Sequence, residues 1–305
     1  MGDRVTPTLR VVQPGILTTV QDAGRPNAVA AGVPPGGAMD RFALAAANLL
    51  VGNERGAAAL ECTLTGPRLV AERDCVIAIT GGDLGPSIPM WTATTLGAGD
   101  ELSFSGRRAG ARAYIALAGG VVGDRWLGSM STNLMCARGG MHGRALIGGD
   151  VISMGDLEYP AEAGFSLREE LRPDYSDPTL RVIPGPQVAR LPKTFFGERF
   201  TVTTSSNRMG YRLEGPPLEA PGEELLSFPV IAGVIQLPSG GQPILLMADH
   251  QTAGGYPVIA TVTSASMPQA AQLAPGDDVW LVETSIADAL AARAAQRAAL
   301  ESLTS

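Results

Sequence analysis

Lysine and histidine are nearly missing from this chain of 305 residues: lysine occurs once, at Lys193, and histidine twice, at His142 and His250. The scarcity of lysine beside many arginines fits codon bias in a GC-rich genome, and it has a chemical consequence. A phosphate-binding loop of the G-x-x-x-x-G-K-[ST] kind needs its lysine beside the phosphates and is excluded, and no G-x-G-x-x-G run opens a helix after a strand. Cys62, Cys75 and Cys136 are an odd number, widely spaced among apolar neighbours. That pattern predicts reduced, buried thiols and a cytoplasmic setting, not a disulfide framework. With two histidines and no paired cysteines, no transition-metal site is expected. The net charge of −7 supplies no basic face for nucleic acid or an anionic membrane. No basic N-terminal segment leads into an apolar run, and no apolar stretch reaches spanning length.

What the chain does have is 38 glycines and 23 prolines, against 45% hydrophobic and 17% charged residues. This is the composition of a folded protein punctuated every few residues, which predicts many short strands in an all-β fold. Its length suggests two domains. A weak internal repeat agrees: TLRVV from Thr8 is echoed by TLRVI from Thr179, GPRL from Gly66 by GPPL from Gly215, VIAI from Val76 by VIAG from Val230, and LIGGDVIS from Leu146 by LAPGDDVW from Leu273. Four matches in the same order predict two copies of one β-rich domain, at 8–158 and 179–284. A proline-rich, charged linker at 159–178 separates them, and a helical tail at 285–305 follows. Strands are expected at Val76–Thr80, Ala113–Ala118, Phe200–Thr204, Ile244–Ala248, Val258–Val262 and Val279–Val282. Gly99-Asp100, Gly149-Asp150 and Gly276-Asp277 read as tight turns re-entering a sheet. So many short strands suggest closed barrels. Met39–Val51 and Ser285–Leu303 read as helices, the first ended by Gly52 with Asp40 as its N-cap, the second opened by Ser285 and Asp288 in capping-box spacing with an apolar stripe at Ile286, Leu290 and Leu300. Both are expected to serve packing.

Candidate chemistry gathers where polar side chains alternate with glycine near strand ends. In Thr18–Asp40, Gln21, Asp22 and Arg25 leave the sheet within one turn, so the loop could take a phosphate or carboxylate; the alternative is that Asp22 caps the turn and Arg25 pairs with it. In Val234–Pro257, Asp249 and Gln251 are candidates for a general base and an amide reader, with Gln236 and Tyr256 beside them, while His250 reads as a satisfied surface or turn histidine. In Ser205–Gly215, Arg208, Tyr211 and Arg212 suit an anion clamp or, more plainly, an exposed hairpin. Gly128–Asn133, followed by Arg138-Gly139-Gly140, offers hydroxyls and glycines to an anion, or forms a polar turn.

These words in this order, QPGILTTVQDAGR, GVPPGGAMD, ANLLVGN, LGSMST, RMGYRLEG, GQPILLMADHQTAGGYP and SIADALAARAAQ, resemble the family of 5-oxoprolinase C subunits, also called allophanate hydrolase subunit 2, and the corresponding half of the urea amidolyase carboxyltransferase domain. The resemblance implies two cyclophilin-like β-barrel domains and work in a hetero-oligomer with a B-like partner (allophanate hydrolase subunit 1) and an A-like partner of the 5-oxoprolinase system. It implies ATP-dependent opening of 5-oxoproline to glutamate, with ATP and possible magnesium contacts at an unknown site. Under it, Asp22, Asp249 and Gln251 are carried as catalytic candidates, and Gln21, Arg25, Arg208, Tyr211, Arg212, Gln236 and Tyr256 as substrate-binding ones. The enzymatic alternative is biotin-dependent carboxyl transfer, for which biotin would arrive on another chain, because Lys193 in LPKTFF lacks the methionines of a biotinylation site. A non-catalytic alternative is regulation of a histidine kinase through a kinase-inhibitor partner. His250 and the lengthened PSGGQP depart from the usual pattern. The three polar regions are expected to share one cleft.

Overall fold

A computed structural model describes residues 6–156, 161–192, 195–219 and 225–303. Lys193, residues 159–160 of the expected linker and the expected domain end at 158 lie outside them. The chain divides into two compact units. The first holds the described residues of Met1–Arg25, Gly36–Pro173 and Arg297–Ser305, the second those of Pro26–Pro35 and Asp174–Gln296. No helix among the described residues is long and apolar enough to cross a membrane.

The first unit contains β1 (Thr6–Gln13), β2 (Leu17–Gln21), α1 (Arg41–Leu50), β3 (Ala59–Thr63), β4 (Arg68–Ala71), β5 (Cys75–Asp83), β6 (Ala93–Leu96), β7 (Glu101–Leu102), β8 (Ala109–Leu117), β9 (Val121–Val122) and β10 (Val151–Met154). They form two five-stranded antiparallel sheets, ordered β7-β4-β1-β10-β9 and β2-β3-β8-β5-β6. Leu9, Leu69 and Ile152 of one sheet and Leu60, Ile77 and Ile115 of the other belong to a single buried cluster, each side chain worth about 1.5–3 kcal/mol of burial. Strand β8 is buried along nearly its whole length because both its faces are covered. Ala113, Ile115 and Leu117 turn to that cluster, while Thr80 on neighbouring β5 bonds to Ala43 O of α1 at 2.7 Å. Asp40 caps α1 as expected, its Oδ1 accepting from Ala43 N at 2.9 Å.

The second unit contains β11 (Thr179–Pro184), β12 (Arg199–Val202), β13 (Gly210–Glu214), β14 (Phe228–Pro229), β15 (Val234–Gln236), β16 (Ile244–Leu246), β17 (Ala253–Gly254), β18 (Val258–Val262), α2 (Met267–Ala271), β19 (Asp278–Glu283) and, up to Gln296, α3 (Ile286–Glu301). Seven strands close a barrel in the order β11-β18-β15-β16-β13-β12-β19, with β14 and β17 paired beside it. The seam is the parallel pair of β11 with β19. All six expected strands are present, and the fold is mostly β.

The repeat words coincide with structure at their ends alone. TLRVV and TLRVI lie in β1 and β11, and LIGGDVIS and LAPGDDVW both run into a strand. GPRL and VIAI, however, enter β4 and β5, whereas GPPL and VIAG fall after β13 and before β15. The three Gly-Asp words do the same work each time. Gly99, Gly149 and Gly276 have φ of 93°, 92° and 92°, a region that favours glycine. The aspartate that follows accepts at 2.8 Å from the backbone N–H three residues earlier: Gly97, Ile147 and Ala274. Part of the expected linker is docked, since Leu167 N bonds to Trp91 O and Ala93 N to Phe165 O. Helix α3 buries little of its expected stripe: Ile286 and Leu290 are 67% and 57% exposed.

The expectation of three buried thiols fails at one of them. Cys62 and Cys75 are buried, but Cys136 is exposed, because it tips a turn whose N–H bonds to Asn133 Oδ1 at 3.0 Å. Burial holds the Cys62 thiol up at about 12 and that of Cys75 at about 11. The native state therefore keeps protons that the unfolded chain releases near 9. The resulting stability is complete below that pH and declines as pH rises toward 11 and 12. At pH 8 a thiol reagent is expected to titrate one cysteine in the native protein and three after denaturation; Cys136→Ser should abolish the native signal.

Candidate functional site

In the first unit, β2 delivers Gln21 and Asp22 to a long turn-rich segment, 124–144. Asp22 Oδ1 accepts from Gly24 N at 2.7 Å, from Ser129 Oγ at 2.6 Å and from Ser131 Oγ, and Oδ2 accepts from Met130 N at 2.6 Å. Its own N–H donates to Ser131 Oγ at 2.9 Å. A carboxylate offers about four acceptor positions, and four donors converge on this one, three at Oδ1 and one at Oδ2. The carboxylate is thereby an organiser of the Gly128–Asn133 turn, which is the capping alternative for Asp22. Gln21 is fully buried, with Nε2 donating to Thr19 Oγ1 at 3.0 Å and Thr132 O at 3.2 Å. Arg25, 2% exposed, donates to Ser131 O and lies over the Trp126 ring at 4.9 Å. Gly139 and Gly140 serve close approach: a Cβ at Gly139 would stand 2.4 Å from Ser131 O, and one at Gly140 would run into the Thr132 side chain. Those glycines let two passes of one loop touch.

A second buried network was not foreseen. Tyr114 donates to Glu61 Oε2 at 2.7 Å and accepts from Asp40 N at 2.8 Å, and Met39 N donates to the same Glu61 oxygen at 2.8 Å. Burial first, then the charges of Glu61 and Asp40, push the Tyr114 hydroxyl well above its usual range, so it remains a donor. This network pins the end of PPGGAMD to β3 and β8.

In the second unit, Arg208 lies just before β13 and Asp249 just after β16. Arg208 Nε donates to Asp249 Oδ2 at 2.8 Å, with side chains 10% and 14% exposed, and Asp249 N donates to Arg208 O at 2.8 Å. Arg208 is thus buried and ion-paired, unlike an exposed hairpin arginine. His250 is 2% exposed, with Nδ1 and Gln251 O 2.6 Å apart. Gln251 Nε2 donates to Gln236 Oε1 at 3.2 Å, and Gln236 Nε2 to Tyr256 O at 3.4 Å. Gly254 permits this stacking, since its Cβ would meet Gln236 Nε2 at 2.9 Å. Asp249 and Gln251, expected side by side, therefore have different partners. Tyr256 is 49% exposed at the end of the amide chain, whereas Tyr211 is 2% exposed and faces the barrel interior from β13. Arg212, its neighbour, points outward into a hollow of about 410 Å³ lined also by Thr203, Ser205, Glu214 and Gln242.

By their contacts the sequence candidates fall into distinct constellations: Gln21, Asp22 and Arg25 with the Gly128–Asn133 turn; Arg208 with Asp249; Gln236 and Gln251 with Tyr256; and Arg212 at its own hollow. Residues 31–283 match the model of the carboxyltransferase domain, subdomain A and B. The chain is 37% identical over 305 residues to the 5-oxoprolinase C subunit of Escherichia coli, covering 97% of each, and 33% identical over 286 residues to that of Haemophilus influenzae, covering 89% of each. It superposes on the crystal structure of K. lactis urea amidolyase with a TM-score of 0.89 at 30% identity, over 99% of this chain and 20% of that one. The bacterial relatives are therefore spanned nearly from end to end and the fungal enzyme over one fifth, and by these matches the chain belongs to the carboxyltransferase domain family that includes the 5-oxoprolinase C subunits.

Proposed function

We propose that this chain is the C subunit of an ATP-dependent 5-oxoprolinase, acting in the cytoplasm with B-like and A-like partner subunits. The observation that carries this reading is the reciprocal coverage of the Escherichia coli protein, 97% of each chain. The reaction asks for two things. An unactivated lactam is a poor electrophile until its oxygen is made a leaving group by phosphorylation, and substrate and phosphoryl donor must then be held in register. Gln251 suits the first partner of that encounter: one of its N–H groups is spent on Gln236, which leaves its carbonyl and second N–H as an edge complementary to a lactam N–H and C=O. The Arg208–Asp249 pair holds the loop that carries it.

The two candidate carboxylates, Asp22 and Asp249, are already committed to partners within the protein and are poor magnesium ligands. Asp22 already takes four donors and Asp249 is turned to Arg208, and no group of three or more His, Cys, Asp or Glu stands together among the described residues. Under this proposal ATP and its metal are held chiefly by the partners. A carboxyltransferase role of the urea amidolyase type is the second reading, favoured by the superposition on the K. lactis enzyme.

Reconstitution with the A-like and B-like subunits tests both. The expected result is 5-oxoproline-dependent ATP hydrolysis that requires this chain and ignores avidin, with Gln251→Ala raising KM about tenfold, as losing about 1.4 kcal/mol of hydrogen bonding should. Avidin-sensitive carboxylation of urea without oxoproline turnover would replace the first reading by the second, and silence in both assays would leave a regulatory complex.

A further inference from the structure

The hollow beside β13 is separate from the Gln251 edge and has no part in the function proposed for it. Arg212 and Glu214 both face outward from that strand, two residues apart, so their Cα atoms stand about 6.6 Å apart. Neither side chain has an ion-pair or hydrogen-bond partner among the described residues. Thr203 and Ser205 line the same hollow, and Gln242, which also lines it, is fixed by reciprocal bonds to Gly215 N at 3.0 Å and Gly215 O at 3.2 Å. The Thr203 hydroxyl is buried and has no hydrogen-bond partner among the described residues, a costly state that an incoming ligand relieves once the side chain turns about χ1. A volume of about 410 Å³ is in the range of small-molecule sites.

We infer that this hollow binds a free α-amino acid, its carboxylate on the Arg212 guanidinium, its ammonium on the Glu214 carboxylate, and the Thr203 and Ser205 hydroxyls completing the shell. A guanidinium and a carboxylate set side by side match a zwitterion, whose opposite charges are separated by one carbon. A simple dicarboxylate meets repulsion from Glu214, and a neutral amide leaves both charges unanswered. Binding of this kind belongs to this chain alone and does not depend on the proposed oxoprolinase activity.

Calorimetric titration of the full chain with L-glutamate, glycine and glutarate tests it without any partner protein. Saturable binding of at least one amino acid, with glutarate at least tenfold weaker, is expected. Arg212→Met and Glu214→Gln should each weaken binding at least tenfold with unchanged circular dichroism, as both side chains are exposed. Thr203→Val should weaken binding severalfold while raising Tm, since it removes an unsatisfied hydroxyl; a purely structural threonine would not move both. Absence of saturable binding by either amino acid, equal binding of glutarate, or indifference to Arg212→Met would overturn the assignment.

Discussion

Asp22→Ala is expected to destabilise the first unit by about 2–4 kcal/mol and to loosen the Gly128–Asn133 turn, because it strands part-buried donors. Two backbone N–H groups and two serine hydroxyls end on this carboxylate. Serine hydroxyls can rotate to other acceptors, but the Gly24 and Met130 amides cannot, and each buried donor left unmade costs about 1–3 kcal/mol. Asp22→Asn keeps one acceptor oxygen and should lose about half as much. Thermal unfolding measures the size of the effect, and amide exchange at Met130 and Ser131 its location. The pair of variants also separates the two roles considered for this residue. A general base replaced by its amide would lose about 10²- to 10⁴-fold in turnover at unchanged Tm. An organising carboxylate shifts Tm first and turnover only as the loop opens.

Breaking the Arg208–Asp249 pair from one side is the second large effect. With side chains 10% and 14% exposed, Asp249→Ala removes the counter-charge of a buried guanidinium in the barrel wall and should cost about 3–5 kcal/mol. Arg208→Ala should cost a similar amount for the opposite reason. The double variant Arg208→Met, Asp249→Leu exchanges the pair for apolar volume and is expected to recover most of that loss. A denaturant-melt double-mutant cycle reads the coupling. If the pair acts only by holding the Gln251 loop, the rescued double variant also regains oxoprolinase turnover in the complex. Recovered stability with turnover still absent would instead assign the ions a direct contact with substrate.

Much of the fold could be read from the residues because it is written locally. Val258–Val262 is a short apolar run stopped by proline and polar residues, and the Gly-Asp words carry both the positive φ and the side-chain acceptor of their turns. Asp40 stands where an N-cap belongs. The site was less legible, and the reason is distance along the chain. Ser131 meets Asp22 from 109 residues away, and Asp249 meets Arg208 from 41. Nothing in QDAGR says that its carboxylate is already engaged by four donors, and nothing in LEC or AYI announces that Glu61 and Tyr114 close on Met39 and Asp40. Cys136 misled because its neighbours in sequence are apolar while its place in the turn is outside. The motif order recovered the family in spite of this, because a family's polar words mark positions whether or not the contacts behind them can be named.

The parallel seam of the second unit's barrel has a consequence for how the protein is made. Strand β11 is synthesised first and β19 last, about a hundred residues later, yet they lie edge to edge. A ribosome that has finished β18 holds a sheet with two raw edges, β11 and β12, each able to pair with a neighbouring nascent chain. Emergence of β19, which pairs with both of them, is the moment at which that hazard ends.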